Sequence, residues 1–173
     1  MIFVTVGNAT QNSSRLLNAI DSLAGAGAFG IEDVVVQYGN NAAFHSERCI
    51  CKAFLTIDEF SEAIEQADVV VCHAGSGTIL HVLRTGKVPV VVPRLVRYGE
   101  VIDDHQAQLA EALSKSGKVL PVADISELEI AIARARSLRT EPHHVEKTPL
   151  AALVAVAIED LVARGRRVSV GRL

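Results

Sequence analysis

Tryptophan is absent from this sequence, aromatic residues are few, and neither sign of charge is in large excess. Aromatics make up 4% of the 173 residues and the net charge is −3. Without a strong positive charge there is no global field that attracts nucleic acid, so no nucleic-acid partner is expected. The apolar content of 49% is mostly Val, Ala, Leu and Ile, which suits helices packed on a parallel sheet. The length is enough for one domain with a substantial core.

Long hydrophobic runs and cysteines are also scarce. The longest apolar run, residues 150–158, is far shorter than the roughly 20 residues of a membrane span. The start of the chain has no basic segment typical of a signal peptide, so a cytoplasmic protein with reduced thiols is expected. Cys49 and Cys51 have no second Cys or His pair at zinc spacing, and no metal site is predicted.

The centre of the chain has the pattern strand, glycine turn, helix, strand. Val69–Val71 is a continuous apolar run typical of a buried parallel strand, and Val88–Val92 is a second one. Between them lie Gly75, Gly77 and a helical pattern over Thr78–Arg84. A helix that starts directly behind a glycine turn presents free N–H groups and a positive dipole end, which favours phosphate. The alternative is that the glycines only let strand and helix pack closely.

Strands and helices alternate over the rest of the chain. The further predicted strands are Ile2–Val6, Val34–Val36, Cys49–Leu55 and Val119–Val122. The further predicted helices run from Ser13 or Ser14 to Ala24, and over Asp58–Gln66, His105–Ser116, Ile125–Leu138 and Leu150–Ala163. This order predicts one α/β domain with a doubly wound, mainly parallel, Rossmann-like sheet. Residues 1–140 form the ligand-binding part in this interpretation, and residues 141–173 add a helix and a basic tail.

Two features refine this prediction. Gly7, Gly39 and Gly75 each follow a predicted strand end, so the three turns are expected to line one rim of the sheet. Thr56 or Asp58 is expected to cap the helix over 58–66, and Asp103 with Gln106 fits a capping box for the helix that starts at His105.

Three sequence blocks together resemble a known enzyme family. They are A-D-V-V-V-C-H-A-G-S-G-T-I-L at 67–80, L-R-T-G-K-V-P-V-V-V-P-R at 83–94 and Y-G-E-V-I-D-D-H-Q-A-Q-L-A at 98–110. The chain resembles, to about residue 122, the C-terminal domain of family 28 glycosyltransferases, which are GT-B enzymes such as MurG. I-F-V-T-V-G at 2–7 and V-V-V-Q-Y-G at 34–39 are similar to stand-alone donor-binding subunits. These include the cytosolic half of the eukaryotic dolichol-linked N-acetylglucosaminyltransferase and bacterial exopolysaccharide subunits of the PssE and EpsF kind.

The resemblance implies one half of a two-component inverting enzyme. This half would bind a UDP-sugar, and a separate membrane-anchored subunit would bind a lipid-linked acceptor that receives a hexose in polysaccharide or glycan synthesis. The chain would then be cytoplasmic and peripheral at the membrane through its partner. The helix over 150–163 and the basic residues of Arg164–Arg167 would contact the partner or anionic lipid, the alternative being a solvated tail. His143 and His144 are assigned to a loop.

The resemblance also implies that the glycine turn of residues 75–78 contacts the donor diphosphate and that His105 and Gln106 contact the donor sugar. Together with the turn at the same rim, the predicted donor-binding residues are Gly7, Asn8, His73, Gly75, Ser76, Gly77, Thr78, His81, His105 and Gln106. By the same resemblance, Phe54 and Leu55 match the loop that contacts uracil. His81 stands where the family usually has an acidic residue that accepts hydrogen bonds from ribose; a neutral imidazole accepts only one such bond. Alternatively, His81 is a surface residue of the helix.

The sequence has no Asp-x-Asp motif, so a metal-independent transfer without a cofactor is predicted. Asp103 and Asp104 are adjacent, but helix capping accounts for them. The Gly75–Thr78 amides would stabilise the leaving diphosphate. The general base is not identified; His73 is the nearest residue of this chain that could act as one, or it fixes the turn structurally.

Two other functions fit parts of the pattern. One is a non-catalytic scaffold for the membrane subunit. The other is an NADP-dependent oxidoreductase, although Leu80 stands where the third glycine of G-x-G-x-x-G belongs. Arg94 and Arg97 lie near the expected ribose position and would suit the additional phosphate of NADP.

Overall fold

Six parallel strands form one sheet in the order β3-β2-β1-β4-β5-β6 in the computed structural model, which describes residues 1–138. The strands are β1 (Ile2–Thr5), β2 (Val34–Gln37), β3 (Ile50–Lys52), β4 (Val69–Cys72), β5 (Val90–Val91) and β6 (Leu120–Pro121). The helices are α1 (Ser14–Gly25), α2 (Ile57–Gln66), α3 (Ser76–Arg84), α4 (His105–Lys115) and α5 (Leu128–Ala135). Two 3₁₀ turns, Val96–Tyr98 and Ile125–Glu127, precede α4 and α5.

The strand order reverses between β1 and β4. β2 and β3 lie on one side of β1, and β4, β5 and β6 lie on its other side. Thr5 pairs with Gln37 of β2 and with Cys72 of β4, so these three strands end at one level. The turns that follow them therefore share one rim, as predicted. In doubly wound sheets this reversal opens a crevice at the carboxyl ends of the strands, where ligands bind.

Both faces of the sheet are covered by helices, which explains why the strand sequences are continuously apolar. On one face, α1 and α5 bury Leu17, Ile20 and Ile132 against the sheet. On the other face, α2 and α3 bury Ile64 and Val82 against it, and α4 packs at the β5 side. Each such side chain contributes roughly 1.5–3 kcal/mol when fully buried. The doubly wound, parallel, Rossmann-like prediction is confirmed.

Several predicted boundaries shift. The helix after the glycine turn begins at Ser76 instead of at residue 78, and the strand predicted over 88–92 is shortened to Val90–Val91. The helix predicted over 125–138 begins with a 3₁₀ turn and ends at Ala135. At α2 the prediction was correct for Thr56, which forms a full capping box with Glu59.

The predicted capping box of α4 is not formed. Asp104, one residue later than predicted, occupies the N-cap position, and its side chain makes no cap hydrogen bond. Gln106 instead accepts a hydrogen bond from the backbone N–H of Arg94 at 3.1 Å. Tertiary contact with the preceding loop therefore takes the side chain that would have closed the box.

Some predictions lie outside the described residues. They are the boundary at residue 140, the His143–His144 loop, the helix over 150–163 and the basic segment 164–167. Of the helices in residues 1–138, none has the length and apolar character needed to cross a membrane.

Candidate functional site

A small cavity lies at the rim where the strand order reverses. Its volume is about 270 Å³. It is lined by Gly7, Asn8, Gln37, Leu55, Thr56, Ile57, Phe60, Thr78 and His81. Five residues predicted from separate parts of the sequence therefore meet here: Gly7, Asn8, Leu55, Thr78 and His81. Gln37, Thr56, Ile57 and Phe60 were not predicted as site residues.

The first turn of α3 lies beside this cavity with its backbone donors unused. Gly75 is the N-cap residue, has no side chain to cap with, and accepts the first helical hydrogen bond from Ile79 N–H at 3.0 Å. Within residues 1–138, the N–H groups of Ser76, Gly77 and Thr78 donate to nothing. The positive end of the helix dipole lies at the same place. Free N–H groups and a positive dipole end at one place are the features that favour an anion at a helix N-terminus.

The two glycines of this turn differ in their surroundings. A Cβ atom on Gly75 would lie 2.6 Å from Nε2 of His73, so only glycine fits there. A Cβ atom on Gly77 would meet nothing within 4 Å among the described residues. Close packing therefore explains Gly75, whereas open space in front of α3 remains at Gly77. Close packing thus accounts for Gly75, and the binding of phosphate at Gly77 stays a prediction.

His73 lies below the turn in a largely buried position. Burial, followed by the nearby Arg94 guanidinium, lowers the pKa of His73 to about 4, while a backbone contact with Thr5 opposes the shift. Its Nδ1 atom is buried and makes no well-formed hydrogen bond within residues 1–138. At neutral pH the imidazole is uncharged and binds a proton weakly. This environment favours the structural role of His73 in the turn over that of a general base.

A hydrogen-bonded chain of side chains fixes the first turn of the rim. Gln37 is buried at the end of β2, accepts from the Thr5 hydroxyl and donates to Oδ1 of Asn8 at 2.8 Å. The backbone N–H of Gly7 donates to the Thr5 hydroxyl at 3.1 Å. Gly7 itself has φ +68°, a conformation that favours glycine. These hydrogen bonds hold the Gly7–Asn8 turn in position. The one sequence feature that could have indicated this role of Gln37 is that a glutamine ends an otherwise apolar strand.

Arg94 is a structural residue and not a ligand for the NADP phosphate. Only 3% of its surface is exposed. Its guanidinium donates two hydrogen bonds to the Ser13 hydroxyl and one to the carbonyl of Val6. Arg97 likewise donates to the carbonyl of Ala123 at 3.0 Å. The NADP interpretation, which relied on these two arginines, has no support in the geometry.

A buried ion pair lies beside Arg94 under the same rim. Glu100 accepts from Nε and Nη2 of Arg15 at 3.0 Å each and from the backbone N–H of Leu95. Two guanidinium groups, those of Arg15 and Arg94, thus face one buried carboxylate. These three side chains leave an excess of one positive charge. No sequence spacing indicated this cluster, because the arginines are 79 residues apart in the chain.

His105, Gln106 and Phe54 lie outside the cavity lining. His105 is exposed, with its Nδ1 2.8 Å from Oδ1 of Asp103. Phe54 is 52% exposed beside Leu55, which does line the cavity. His81 lines the cavity and packs edge-on against Phe60, with ring centres 5.8 Å apart. It is therefore more than a solvent-facing residue of α3.

The acidic residues of residues 1–138 do not converge on a metal site. No group of three or more His, Cys, Asp or Glu side chains in this part of the chain is placed to hold a metal ion. Asp104 accepts from the backbone N–H of Val96, and Asp103 accepts from that of His105. Asp103 therefore contacts the start of α4, whereas Asp104 holds the 3₁₀ turn that precedes it. Metal independence remains a prediction.

Residues 1–161 match the glycosyltransferase family 28 C-terminal domain. The chain belongs to this family. It is 32% identical over 121 residues to the human UDP-N-acetylglucosamine transferase subunit ALG13, covering 67% of this chain and 10% of that protein. The Yarrowia lipolytica ALG13 subunit is 30% identical over 132 residues, covering 72% of this chain and 65% of that protein. The family 28 chain thus spans from a tenth to two thirds of the length of these relatives.

A bacterial relative is also named as an N-acetylglucosamine transferase. The Geobacter metallireducens pentapeptide pyrophosphoryl-undecaprenol N-acetylglucosamine transferase is 31% identical over 113 residues, covering 64% of this chain and 30% of that enzyme. The resemblance to family 28 seen in the sequence is confirmed.

Solved structures share the fold. The solution structure of ALG13 has a TM-score of 0.55 at 21% identity and covers 82% of this chain and 89% of that one. The kitacinnamycin glycosyltransferase has a TM-score of 0.59 at 20% identity and covers 79% of this chain but 34% of that one. The family 28 fold of this chain therefore corresponds to about a third of the larger enzyme.

Proposed function

We propose that this family 28 chain is the UDP-sugar-binding subunit of a two-component inverting glycosyltransferase. The observation that carries the proposal is the first turn of α3. Within residues 1–138 the N–H groups of Ser76, Gly77 and Thr78 donate to nothing, and a Cβ atom on Gly77 would meet nothing within 4 Å. A diphosphate is the ligand that such a turn favours.

The same turn supplies what sugar transfer requires of the donor site. When the bond between the sugar and the diphosphate breaks, negative charge develops on the leaving phosphate. Fixed amide dipoles stabilise that charge without reorganising. The excess positive charge of Arg15 and Arg94 over Glu100 lies under the same rim and acts in the same direction. We propose on this basis that the transfer needs neither a metal ion nor a cofactor.

The 270 Å³ cavity beside the turn is proposed to hold the nucleoside. Leu55 and Phe60 give it apolar walls for a base. Thr78 and His81 provide hydroxyl and imidazole groups within the same lining, suited to ribose hydroxyls. His105 and Gln106, at the start of α4, are proposed to contact the donor sugar beyond the diphosphate.

The acceptor is proposed to bind mainly to a second polypeptide. Two of the relatives are named as subunits of a UDP-N-acetylglucosamine transferase, and the strands of residues 1–138 form one sheet of the donor-binding type. We propose a membrane-anchored partner, a lipid-linked acceptor that receives a hexose, and a location at the cytoplasmic face of the membrane through that partner. Exopolysaccharide synthesis is one setting that fits this arrangement.

Calorimetric titration of the full chain with UDP tests the donor site, with NADPH as the control ligand. We expect UDP to bind and NADPH not to bind. Gly77→Asp places a carboxylate in front of the free amides and should weaken UDP binding at least tenfold, or about 1.4 kcal/mol. Gly77→Asn, which is equally large but uncharged, should weaken it less.

The outcomes separate the alternatives. Equal loss in both Gly77 variants would mean that size and not charge controls access, against the diphosphate assignment. If the chain does not bind the donor during catalysis, Gly77→Asp should leave glycan synthesis by the complete two-subunit enzyme unchanged. That result would instead support a non-catalytic scaffold.

A further inference from the structure

A second and larger cavity opens on the other side of the Asn8–Thr10 turn. Its volume is about 590 Å³. Its walls are the turn before α1, the first part of α1 and the segment 40–44 after β2. Asn8 lines the 270 Å³ cavity that is proposed to hold the nucleoside, and Thr10 lines this larger one. One short turn therefore separates the two cavities. Asn40 holds that turn by donating to the carbonyl of Asn8 at 2.8 Å.

The lining of this cavity is polar but carries no charge. Its side chains are those of Thr10, Asn12, Ser14, Leu17, Asn18, Asn40, Asn41, Ala42, Ala43 and Phe44. The absence of a charged group in the lining disfavours an ionic ligand, because a bound ion would lose its hydration without a counter-charge. The ligand should therefore be neutral and able to hydrogen-bond.

Most of the polar groups are available to a ligand. Within residues 1–138, the Asn18 carboxamide and the Thr10 and Ser14 hydroxyls make no hydrogen bond. Asn12 uses its oxygen to accept from Ser14 N–H at 2.8 Å, which leaves its NH₂ group free. Asn41 is the exception: it accepts from Ser13 N–H and donates to the carbonyl of Tyr38, so it holds the wall in place.

An apolar surface accompanies these groups. Leu17 is buried beneath the cavity and Phe44 is half-buried at its side. The Phe44 ring packs against Tyr38 with centres 6.2 Å apart, which fixes its position. A fixed aromatic face among neutral donors and acceptors matches a sugar ring, which has hydroxyl groups at its edge and C–H groups on its faces.

We infer that this cavity binds an uncharged sugar ring of the acceptor glycan. This inference rests on the proposed function, in which a second sugar must approach the donor. Because a single turn separates the two cavities, a glycan bound here would lie next to the donor site. The donor subunit would then help to position the acceptor and not leave that task wholly to its partner.

Saturation-transfer difference NMR on the full chain tests the inference, with glucose, N-acetylglucosamine, cellobiose and N,N′-diacetylchitobiose as probes. At least one probe should give a signal with the wild-type chain. Asn18→Leu removes an exposed carboxamide of the cavity and should reduce that signal at least threefold. Gln66→Leu is the matched control, because it removes an exposed carboxamide from the end of α2, which covers the face of the sheet opposite to α1, and should leave the signal unchanged.

Titration of the same samples with UDP distinguishes the two proposals. Loss of the sugar signal in Asn18→Leu with unchanged UDP affinity supports the second site. UDP binding without a signal from any probe overturns the second site and leaves the donor assignment intact. A sugar signal without UDP binding would support a carbohydrate site and contradict the donor function. An equal signal in Asn18→Leu would show that the sugar binds elsewhere, and would overturn the assignment to this cavity.

Discussion

The imidazole of His73 packs so closely on Gly75 that a methyl group at residue 75 would come within 2.6 Å of Nε2. Gly7 also lies against this ring, since a Cβ atom there would lie 2.8 Å from Cε1. The turn after β1 and the turn after β4 are therefore joined through one side chain. Because the proposed diphosphate site begins at Gly75, the position of α3 relative to β1 depends on this packing.

Substitution of Gly75 by alanine should destabilise the fold. The new methyl group must displace His73, and overpacking of this kind costs about 1–3 kcal/mol. Gly77→Ala is the control: its methyl group meets no atom within 4 Å, so the free energy of unfolding should stay the same or rise slightly. Urea denaturation of both variants measures the difference. Equal stability of the two would contradict the clash with His73.

The stability of the wild-type chain should fall below neutral pH because of His73. Its pKa is about 4 in the folded state and about 6.5 when unfolded, so the unfolded state binds the proton first. This contribution is constant above pH 6.5 and is lost as the pH falls towards 4. Between pH 6.5 and 5 the loss should be about 2 kcal/mol.

Comparison with His73→Asn isolates this effect from carboxylates that also titrate in acid. Glu32, Asp68 and Asp124 have lowered pKa values in the folded protein and are present in both chains. The difference in unfolding free energy between wild type and variant should therefore shrink as the pH falls from 6.5 to 5. A difference that does not change with pH would show that His73 titrates normally.

Neutralising the buried carboxylate of Glu100 should be strongly destabilising. Glu100→Gln leaves the mostly buried Arg15 guanidinium without its counter-charge. Breaking such a pair lowers the free energy of unfolding by about 3–5 kcal/mol. Lys52→Met breaks the exposed pair with Glu59 and should cost less than about 1 kcal/mol. Chemical denaturation of both variants gives the comparison. A similar small loss in both would mean that the Arg15 pair is solvated.

The capping box of α2 gives a smaller, local prediction. Thr56→Ala removes the hydroxyl that accepts from Glu59 N–H and should cost about 1 kcal/mol. Thr56→Ser keeps the hydroxyl and should recover most of that loss. Thermal unfolding followed by circular dichroism measures both variants. If serine does not rescue, the methyl group of Thr56 and not its hydroxyl supports the helix.

Local patterns in the sequence were enough to predict the fold class and the main ligand turn. Apolar runs such as Val69–Val71 identify strands buried on both faces, because such strands have no polar side. The Gly75–Thr78 turn follows one of these runs directly, so its place at the rim could be predicted from chain order alone. The predicted cap at Thr56 was also correct, since a capping box involves only neighbouring residues.

Contacts between distant residues decided the rest. Gln106 was predicted to cap α4, yet it binds the backbone of Arg94; Arg94 was considered for a ligand phosphate, yet it is buried on Ser13. Glu100 and Arg15 showed no pattern because their pairing depends on how the loop before α4 folds over α1. Such partners are chosen by tertiary packing, which local spacing does not encode.

The sequence by itself determined a doubly wound parallel sheet and a helix N-terminus directly behind a glycine turn, because both follow from residues close together in the chain. The tertiary structure alone decided that Gly75 is required by His73 while Gly77 faces open space. It also decided which arginine side chains are buried and that two cavities flank the Asn8–Thr10 turn. Those properties depend on distances between elements, and these are fixed only when the sheet and its helices pack together.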